Sequence, residues 1–133
     1  MSAEARFFDT NVVLYLFGDD DRKRVIASDL LAEGGGASVQ LLNEVAYVVR
    51  RKLKWDWGRA SATLTDFEAL LDIAPLTLAA SQRARRISAD TGYSIYDALM
   101  LAVALENGAT TFLSEDLQHG RVVEGMEIRN PFS

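Results

Sequence analysis

The 133-residue chain has no cysteine, which excludes disulfides, zinc–thiolate sites and a cysteine nucleophile. It has one histidine, His119, in a polar Gln-His-Gly loop, and no Gly-x-Ser-x-Gly elbow, so nothing supports a Ser-His-Asp hydrolase. It lacks a phosphate-binding Gly-rich fingerprint too: Gly34-Gly35-Gly36 has the wrong spacing and reads as a helix stop. No apolar run approaches the roughly 18 residues needed to cross a bilayer. The start, Met1-Ser2-Ala3-Glu4-Ala5-Arg6, lacks the basic opening and apolar core of a secretion signal. Together with the missing cysteine, these absences lead us to expect a soluble, cytoplasmic protein.

What is present is ordinary in bulk. The length suits one full-sized domain, spanning residues 1–133, and a hydrophobic share of 49% with 25% charged residues is globular in character. The net charge of −5 argues at first against a nucleic-acid partner. However, removing four acids singled out below leaves 14 basic against 15 acidic side chains (19 − 4), close to neutral. The basic residues also cluster, as Arg22-Lys23-Arg24, as Arg50-Arg51-Lys52 with Lys54, and around Arg83, Arg85 and Arg86. Such clusters are usually solvated helix faces, and phosphate contact is the other reading.

Hydrophobic periodicity lays out alternating strands and helices. Phe7-Phe8 reads as a buried strand, and residues 12–17 as a short helix broken near Gly18. Residues 24–32 read as a helix with Val25, Ile26, Leu30 and Leu31 inward, followed by a strand at residues 37–39 and a helix over 41–53. Residues 54–58 read as a turn holding Trp55 and Trp57, either exposed for an interface or packed across a helical hairpin. Then follow a helix over 60–71, a strand at 73–76, helices over 78–89 and 96–106, and strands at 111–113 and 126–128. Strands alternating with helices imply an α/β fold, with a parallel sheet sandwiched by helices.

Four acids sit where acids are awkward. Asp9 ends the apolar run Phe7-Phe8, Glu44 interrupts Leu41-Leu42-Asn43-Glu44-Val45-Ala46, Asp97 opens an almost wholly apolar helix, and Asp116 follows Phe112-Leu113-Ser114-Glu115. A carboxylate withdrawn from water costs several kcal/mol unless a cation or hydrogen bonds compensate. Asp9 and Asp116 each follow a strand, while Glu44 and Asp97 lie near helix starts, so all four can meet on the rim at the strands' carboxyl ends. If they do, their repulsion demands a cation, and oxygen ligands without thiolate suit Mg²⁺ or Mn²⁺.

Each acid also has an ordinary explanation. Asp97 stands three residues after Ser94, the spacing of a capping box. Asp9 can serve as the N-cap of the next helix. Glu44 shares a polar stripe with Gln40, Tyr47 and Arg51 and so can face water, and Asp116 can be a turn residue beside the equally acidic Glu115.

In order and context, the segments Phe8-Asp9-Thr10-Asn11-Val12, Ser38 to Glu44, Tyr96-Asp97-Ala98-Leu99 and Phe112 to Asp116 resemble the PIN-domain family, from about residue 6 to about residue 130. In length and spacing the chain looks most like the VapC-type ribonuclease toxins of bacterial toxin–antitoxin pairs. The resemblance implies a compact α/β/α sandwich with a short, mainly parallel sheet. It also implies a Mg²⁺- or Mn²⁺-dependent site for single-stranded RNA, a homodimer, and a small antitoxin partner. Position by position, Asp9 and Asp97 match the principal metal-holding acids, Glu44 the acid on the helix after the second strand, and Asp116 the fourth acid. Ser114 falls on the hydroxyl position, with Thr10 and Asn11 on groups that orient the first acid. Serine stands at 114 where threonine is common, and Glu115 adds an extra carboxylate.

The expectation is therefore a metal-dependent endoribonuclease, with Arg50, Arg51, Lys52, Lys54, Arg85 and Arg86 as candidate phosphate contacts. Carboxylate-held Mg²⁺ can activate water and neutralise charge without a histidine base. The alternatives are a PIN-like RNA-processing nuclease with no toxin role and a catalytically inactive RNA- or protein-binding module. A phosphatase using Asp9 as nucleophile is weaker, because it normally wants an acid at position 11, which is Asn.

Overall fold

The computed structural model describes residues 5–133, so the sequence reading of residues 1–4 lies outside the described part. Six strands form one sheet in the order β3-β2-β1-β4-β6-β5. They are β1 (Arg6–Phe8), β2 (Gly36–Ser38), β3 (Asp72–Ala74), β4 (Thr111–Leu113), β5 (Val122–Val123) and β6 (Met126–Arg129). All pair in parallel except β5, which runs antiparallel to β6. Helices flank the sheet in three α/β/α layers: α1 (Thr10–Leu14), α2 (Asp21–Glu33), α3 (Val39–Arg51), α4 (Trp57–Leu70), α5 (Leu78–Thr91) and α6 (Ile95–Glu106), with a 3₁₀ turn at Tyr15–Phe17 between α1 and α2. No described helix is long and apolar enough to cross a membrane.

Local chemistry sets these boundaries. Side chains of Asp20, Ser38, Asp56, Thr77 and Ser94 each accept a backbone N–H in the first turn of the helix that follows them. Gly92 closes α5 in the left-handed conformation. Close packing governs Gly36: a Cβ there would lie 2.1 Å from the Phe7 ring across the β1–β2 pair, so only glycine fits.

The core sits on both faces of the three short central strands. Phe8 and Phe112 are fully buried, and α3 contributes Leu41, Val45 and Val49 at four-residue intervals. Helix α6 buries Ala98 and every residue from Met100 to Ala104, so it is apolar almost all round.

Several sequence expectations shift here. The inward face of α2 is Ala27 and Leu31, one helical turn apart, whereas Ile26 and Leu30 are half-buried and Val25 is exposed. Val25 lies two residues, about 200° of helical rotation, from Ala27, on the far side of the helix. Val39 opens α3 instead of ending β2, because Ser38 Oγ caps the helix by accepting from Gln40 N at 3.0 Å. Trp57 likewise opens α4 rather than lying in a turn, since Asp56 accepts from Arg59 N at 2.8 Å. Strand β5 was not expected. Two residues are too few to show alternation, but Glu124 and Gly125, both at positive φ, make the hairpin that returns to β6.

The strand order also locates a site. From β1 the chain first moves outward to β2 and β3, then returns through α5 and α6 to β4 on the other side of β1. The connection therefore reverses between β1 and β4, and open α/β sheets place ligands at the carboxyl ends flanking such a reversal.

Candidate active site

Asp9 and Ser114 leave the carboxyl ends of β1 and β4 side by side. The parallel register pairs Phe8 with Leu113, and Asp9 N continues the ladder by donating to Leu113 O at 2.8 Å. The Asp9 carboxylate is nearly buried and accepts three hydrogen bonds. Thr10 N donates to Oδ1 at 2.8 Å, while Ser114 Oγ at 2.8 Å and Asn11 Nδ2 at 3.2 Å donate to Oδ2. Its capping role is thus real, since it is the N-cap of α1. That role uses only part of the carboxylate.

Ser114 ties the first acid to the fourth. Its fully buried hydroxyl accepts from the N–H groups of Asp116 and Leu117, each at 3.2 Å, while donating to Asp9. Asn11 braces the same loop by accepting from Glu115 N at 3.2 Å.

Asp9, Glu44, Asp97 and Asp116 line one cleft of about 540 Å³, a volume within the roughly 300–1,000 Å³ usual for small-ligand sites. Glu44 comes from α3 and Asp97 from the first turn of α6; both are half-buried, and Asp116 is exposed. Ser94 caps α6 by accepting from Asp97 N at 3.1 Å. No return bond from the Asp97 carboxylate to Ser94 closes the box among the described residues, so the acid group is left on the cleft wall.

The electrostatics are those of an anionic site short of positive charge. Burial raises the Asp9 carboxyl from its usual value near 3.8 to about 6. The bonds from Ser114 and Thr10 oppose that rise, and the nearby charges of Asp97 and Glu44 add to it. Among the described residues, no lysine or arginine lines the cleft. None of the four acids takes part in an ion pair among the described residues. The buried Thr10 Oγ1, also at the cleft, has no hydrogen-bond partner.

A divalent cation fits this donor set. Every available ligand is a hard oxygen, and a carboxylate pushed up by burial and, to a lesser degree, by neighbouring acids gains from a cation. Among the described residues, however, no three acids are gathered tightly enough to enclose an ion as they stand.

Glu115 and Asp116 part company. The Glu115 carboxylate takes hydrogen bonds from Lys23 Nζ and Tyr15 Oη outside the cleft. Partial burial pushes its carboxyl up, but those two bonds outweigh it and hold the group below its ordinary value. Asp116 alone of the pair lines the cleft.

Other candidates lie elsewhere. Arg50 donates to Trp55 O at 2.8 Å and stacks on Trp57, and Arg51 lies over the Tyr47 ring. Lys52, Lys54, Arg85 and Arg86 are exposed, and none of these six lines the cleft. Trp55 packs edge-on against Phe17 at 5.3 Å beneath the Arg59 guanidinium, whereas Trp57 is exposed. His119 Nδ1 accepts from Asn130 N at 2.8 Å, so it braces the C-terminal loop.

The sequence reading passed over Gln40, Asn43, Tyr47 and Tyr96 as site residues, and all four line the cleft. The signal was present. The polar stripe of Gln40, Glu44, Tyr47 and Arg51 left two readings open, a water-facing surface or a site acid at Glu44; its first three members line this acidic recess and Arg51 does not.

The model of the family described as PIN domain matches residues 6–125. Among solved structures, the chain is similar to a toxin–antitoxin complex from Klebsiella pneumoniae, at 15% identity and a TM-score of 0.73, covering 95% of this chain and 97% of that one. It is also similar to DNA-bound VapBC from Salmonella typhimurium, at 18% identity and TM-score 0.71, covering 98% and 99%. A third is VapC20 of Mycobacterium tuberculosis, a Sarcin-Ricin loop cleaving toxin, at 19% identity and TM-score 0.63, covering 80% and 86%. No curated protein matches by sequence.

Proposed function

The chain belongs to the PIN-domain family, and on that premise we propose that it is a divalent-metal-dependent endoribonuclease cutting single-stranded regions of RNA, as the toxin of a toxin–antitoxin pair. The observation that carries the reading is Asp9. It is a buried carboxylate held by three donors, raised first by that burial and then by the charges of Asp97 and Glu44, and without a cationic partner among the described residues. A purely structural buried acid is usually paired with a cation, whereas this one is held by hydrogen bonds alone and faces two other acids.

In the proposed mechanism Asp9, Glu44, Asp97 and Asp116 hold the ion, taken as Mg²⁺ or Mn²⁺. When bound, the ion supplies polarisation of the attacking water and neutralisation of charge on the phosphodiester. The remaining work belongs to the chain. Ser114, Asn11 and the Thr10 N–H fix the Asp9 oxygens in place. Ser114 also holds the backbone of Asp116, so the first and fourth acids share one anchor. Arg50, Arg51, Lys52, Lys54, Arg85 and Arg86, outside the cleft, are proposed to meet flanking phosphates.

An antitoxin partner is a further part of the proposal, supported by the similarity to chains from toxin–antitoxin complexes, and so is a homodimeric state, which that similarity does not test. A cytoplasmic location is a part of the same proposal, in keeping with an RNA substrate. The test is incubation of the purified protein with structured and unstructured RNAs in Mg²⁺, in Mn²⁺ and in EDTA. Cleavage should need the metal and be lost when Asp9→Asn and Asp97→Asn are combined. Cleavage that persists in EDTA or in the double variant overturns the mechanism.

A further inference from the structure

The cleft carries two aromatic rings that the metal chemistry does not use. Tyr47, on α3 one turn beyond Glu44, is 60% exposed; Tyr96, next to Asp97, is 73% exposed. Both line the recess that holds the acids, together with the amides of Gln40 and Asn43. The Arg51 guanidinium lies over the Tyr47 ring, 5.8 Å from its centroid.

Charge decides what such a recess can hold. No cationic side chain lines it, so a polyanion gains no direct electrostatic attraction there, and an ion at the acids compensates only the phosphate it meets. Affinity for the neighbouring nucleotide must come from an uncharged part. Bases stack on aromatic rings whatever their sequence, and side-chain amides present the paired donor and acceptor that match a base edge. A second copy of the chain is a poorer occupant. Dimer cores are depleted of charge, and closing one over this recess would strip water from Asp9, Glu44 and Asp97.

Deepening the nuclease reading, on which this rests, we infer that the cleft seats one nucleobase of a single-stranded RNA against the rings of Tyr47 and Tyr96, with Gln40 and Asn43 facing its edge. The base then anchors the strand so that the adjacent phosphodiester lies at the acids. Tyr47 and Tyr96 are substrate-binding residues, not metal ligands, and their contribution is stacking rather than ion pairing.

The test uses a fluorescein-labelled pool of random-sequence single-stranded RNA 20-mers with Mg²⁺, binding full-length protein in an Asp97→Asn background so that the probe survives. Tyr47→Ala and Tyr96→Ala should each weaken binding at least about fivefold, and Tyr→Phe at either position should retain it, because the ring and not the hydroxyl stacks. The loss should be the same at low and high salt, unlike that from an Arg51→Ala or Lys52→Ala change. In the otherwise wild-type chain, Mn²⁺ affinity by calorimetry and the solution mass should stay unchanged by the tyrosine substitutions. The inference is overturned by full binding in the alanine variants, by phenylalanine as damaging as alanine, or by alanine variants that change the mass or the Mn²⁺ affinity. Failure of the parent Asp97→Asn protein to bind the pool, with no cleavage of any RNA by the wild type, overturns the nuclease reading itself.

Discussion

Ser114 and Asp9, 105 residues apart in sequence, share a 2.8 Å hydrogen bond at the point where the chain reverses direction across the sheet. One buried hydroxyl thereby does three things: it donates to Asp9 and accepts from the N–H groups of Asp116 and Leu117. Ser114→Ala should leave those buried groups short of a partner, costing about 1–3 kcal/mol of stability. Because the Ser114 bond lowers the Asp9 carboxyl, its loss should push that group above 6. The acid limb of the pH–rate profile should then move to higher pH. Chemical denaturation and a pH series of cleavage rates check the two effects separately, and an unmoved acid limb would remove Ser114 from the site.

The raised carboxyl of Asp9 makes metal-free stability depend on pH with a definite sign. The group titrates near 6 folded and near 3.8 unfolded. The native state therefore binds more protons between those values, and stability falls as pH rises through the window. The fall is on the order of 3 kcal/mol. In EDTA, the wild type should melt higher at pH 5 than at pH 7.5. Asp9→Asn should flatten that difference and be the more stable protein at pH 7.5. Added Mn²⁺ should stabilise the wild type more at pH 7.5 than at pH 5, since proton and ion compete for one carboxylate. Thermal melts across pH, with and without the ion, decide it; equal Mn²⁺ stabilisation at both pH values would argue against binding at Asp9.

Neighbouring acids should behave as different kinds of residue. Glu115 is held by Lys23 and Tyr15, and Lys23 also lies over the Tyr15 and Phe132 rings at 4.6 and 5.5 Å. Glu115→Gln should therefore loosen the contact between α2 and the loop after β4 while leaving Mn²⁺ affinity within about twofold. The pair is partly exposed, so the stability loss should be below about 1 kcal/mol. Asp116→Asn, from a cleft-lining position, should weaken Mn²⁺ binding about tenfold or more with little effect on melting of the metal-free protein. Calorimetric titration of both variants separates them, and reversed behaviour would return Glu115 to the site.

The acids were legible in sequence because a carboxylate next to an apolar run stands out in one dimension. Their common rim was legible too, since alternating strands and helices put the carboxyl ends of the parallel strands on one edge. Tyr47 was not legible as a cleft residue. A polar stripe on a helix looks the same whether it faces bulk water or a recess walled by a second helix, and only the packing of α3 near α1 and α6 distinguishes them. Val25 failed for the related reason that α2 packs through small Ala27, so hydrophobicity alone pointed to the wrong side of the helix. Trp57 was misplaced because Gly58 was read as a turn while Asp56, a good cap, was passed over. Glu115 and Asp116 could not be separated before Lys23, far away in sequence, was seen to reach one of them.

Gly36 tests how tightly the sheet beneath the site is built. Its absent side chain lets β2 close onto Phe7, and β2 leads directly through Ser38 into the helix that carries Glu44. An added methyl would meet the Phe7 ring at 2.1 Å, far inside contact distance, and the nearest atoms are a buried ring packed in the core, not a flexible chain end. Either the ring turns into its neighbours or the strands part. Gly36→Ala should cost about 3 kcal/mol or more, at the upper end for overpacking. Gly125→Ala supplies the contrast, because it adds the same methyl in the turn between β5 and β6, where nothing lies within 4 Å of the Cβ position and the penalty comes only from positive φ. Its cost should be nearer 1 kcal/mol, and Phe7→Leu should partly rescue Gly36→Ala but not Gly125→Ala. Denaturation of the three single and two double variants measures this, and equal costs without selective rescue would show that the β1–β2 approach is not what requires glycine at position 36.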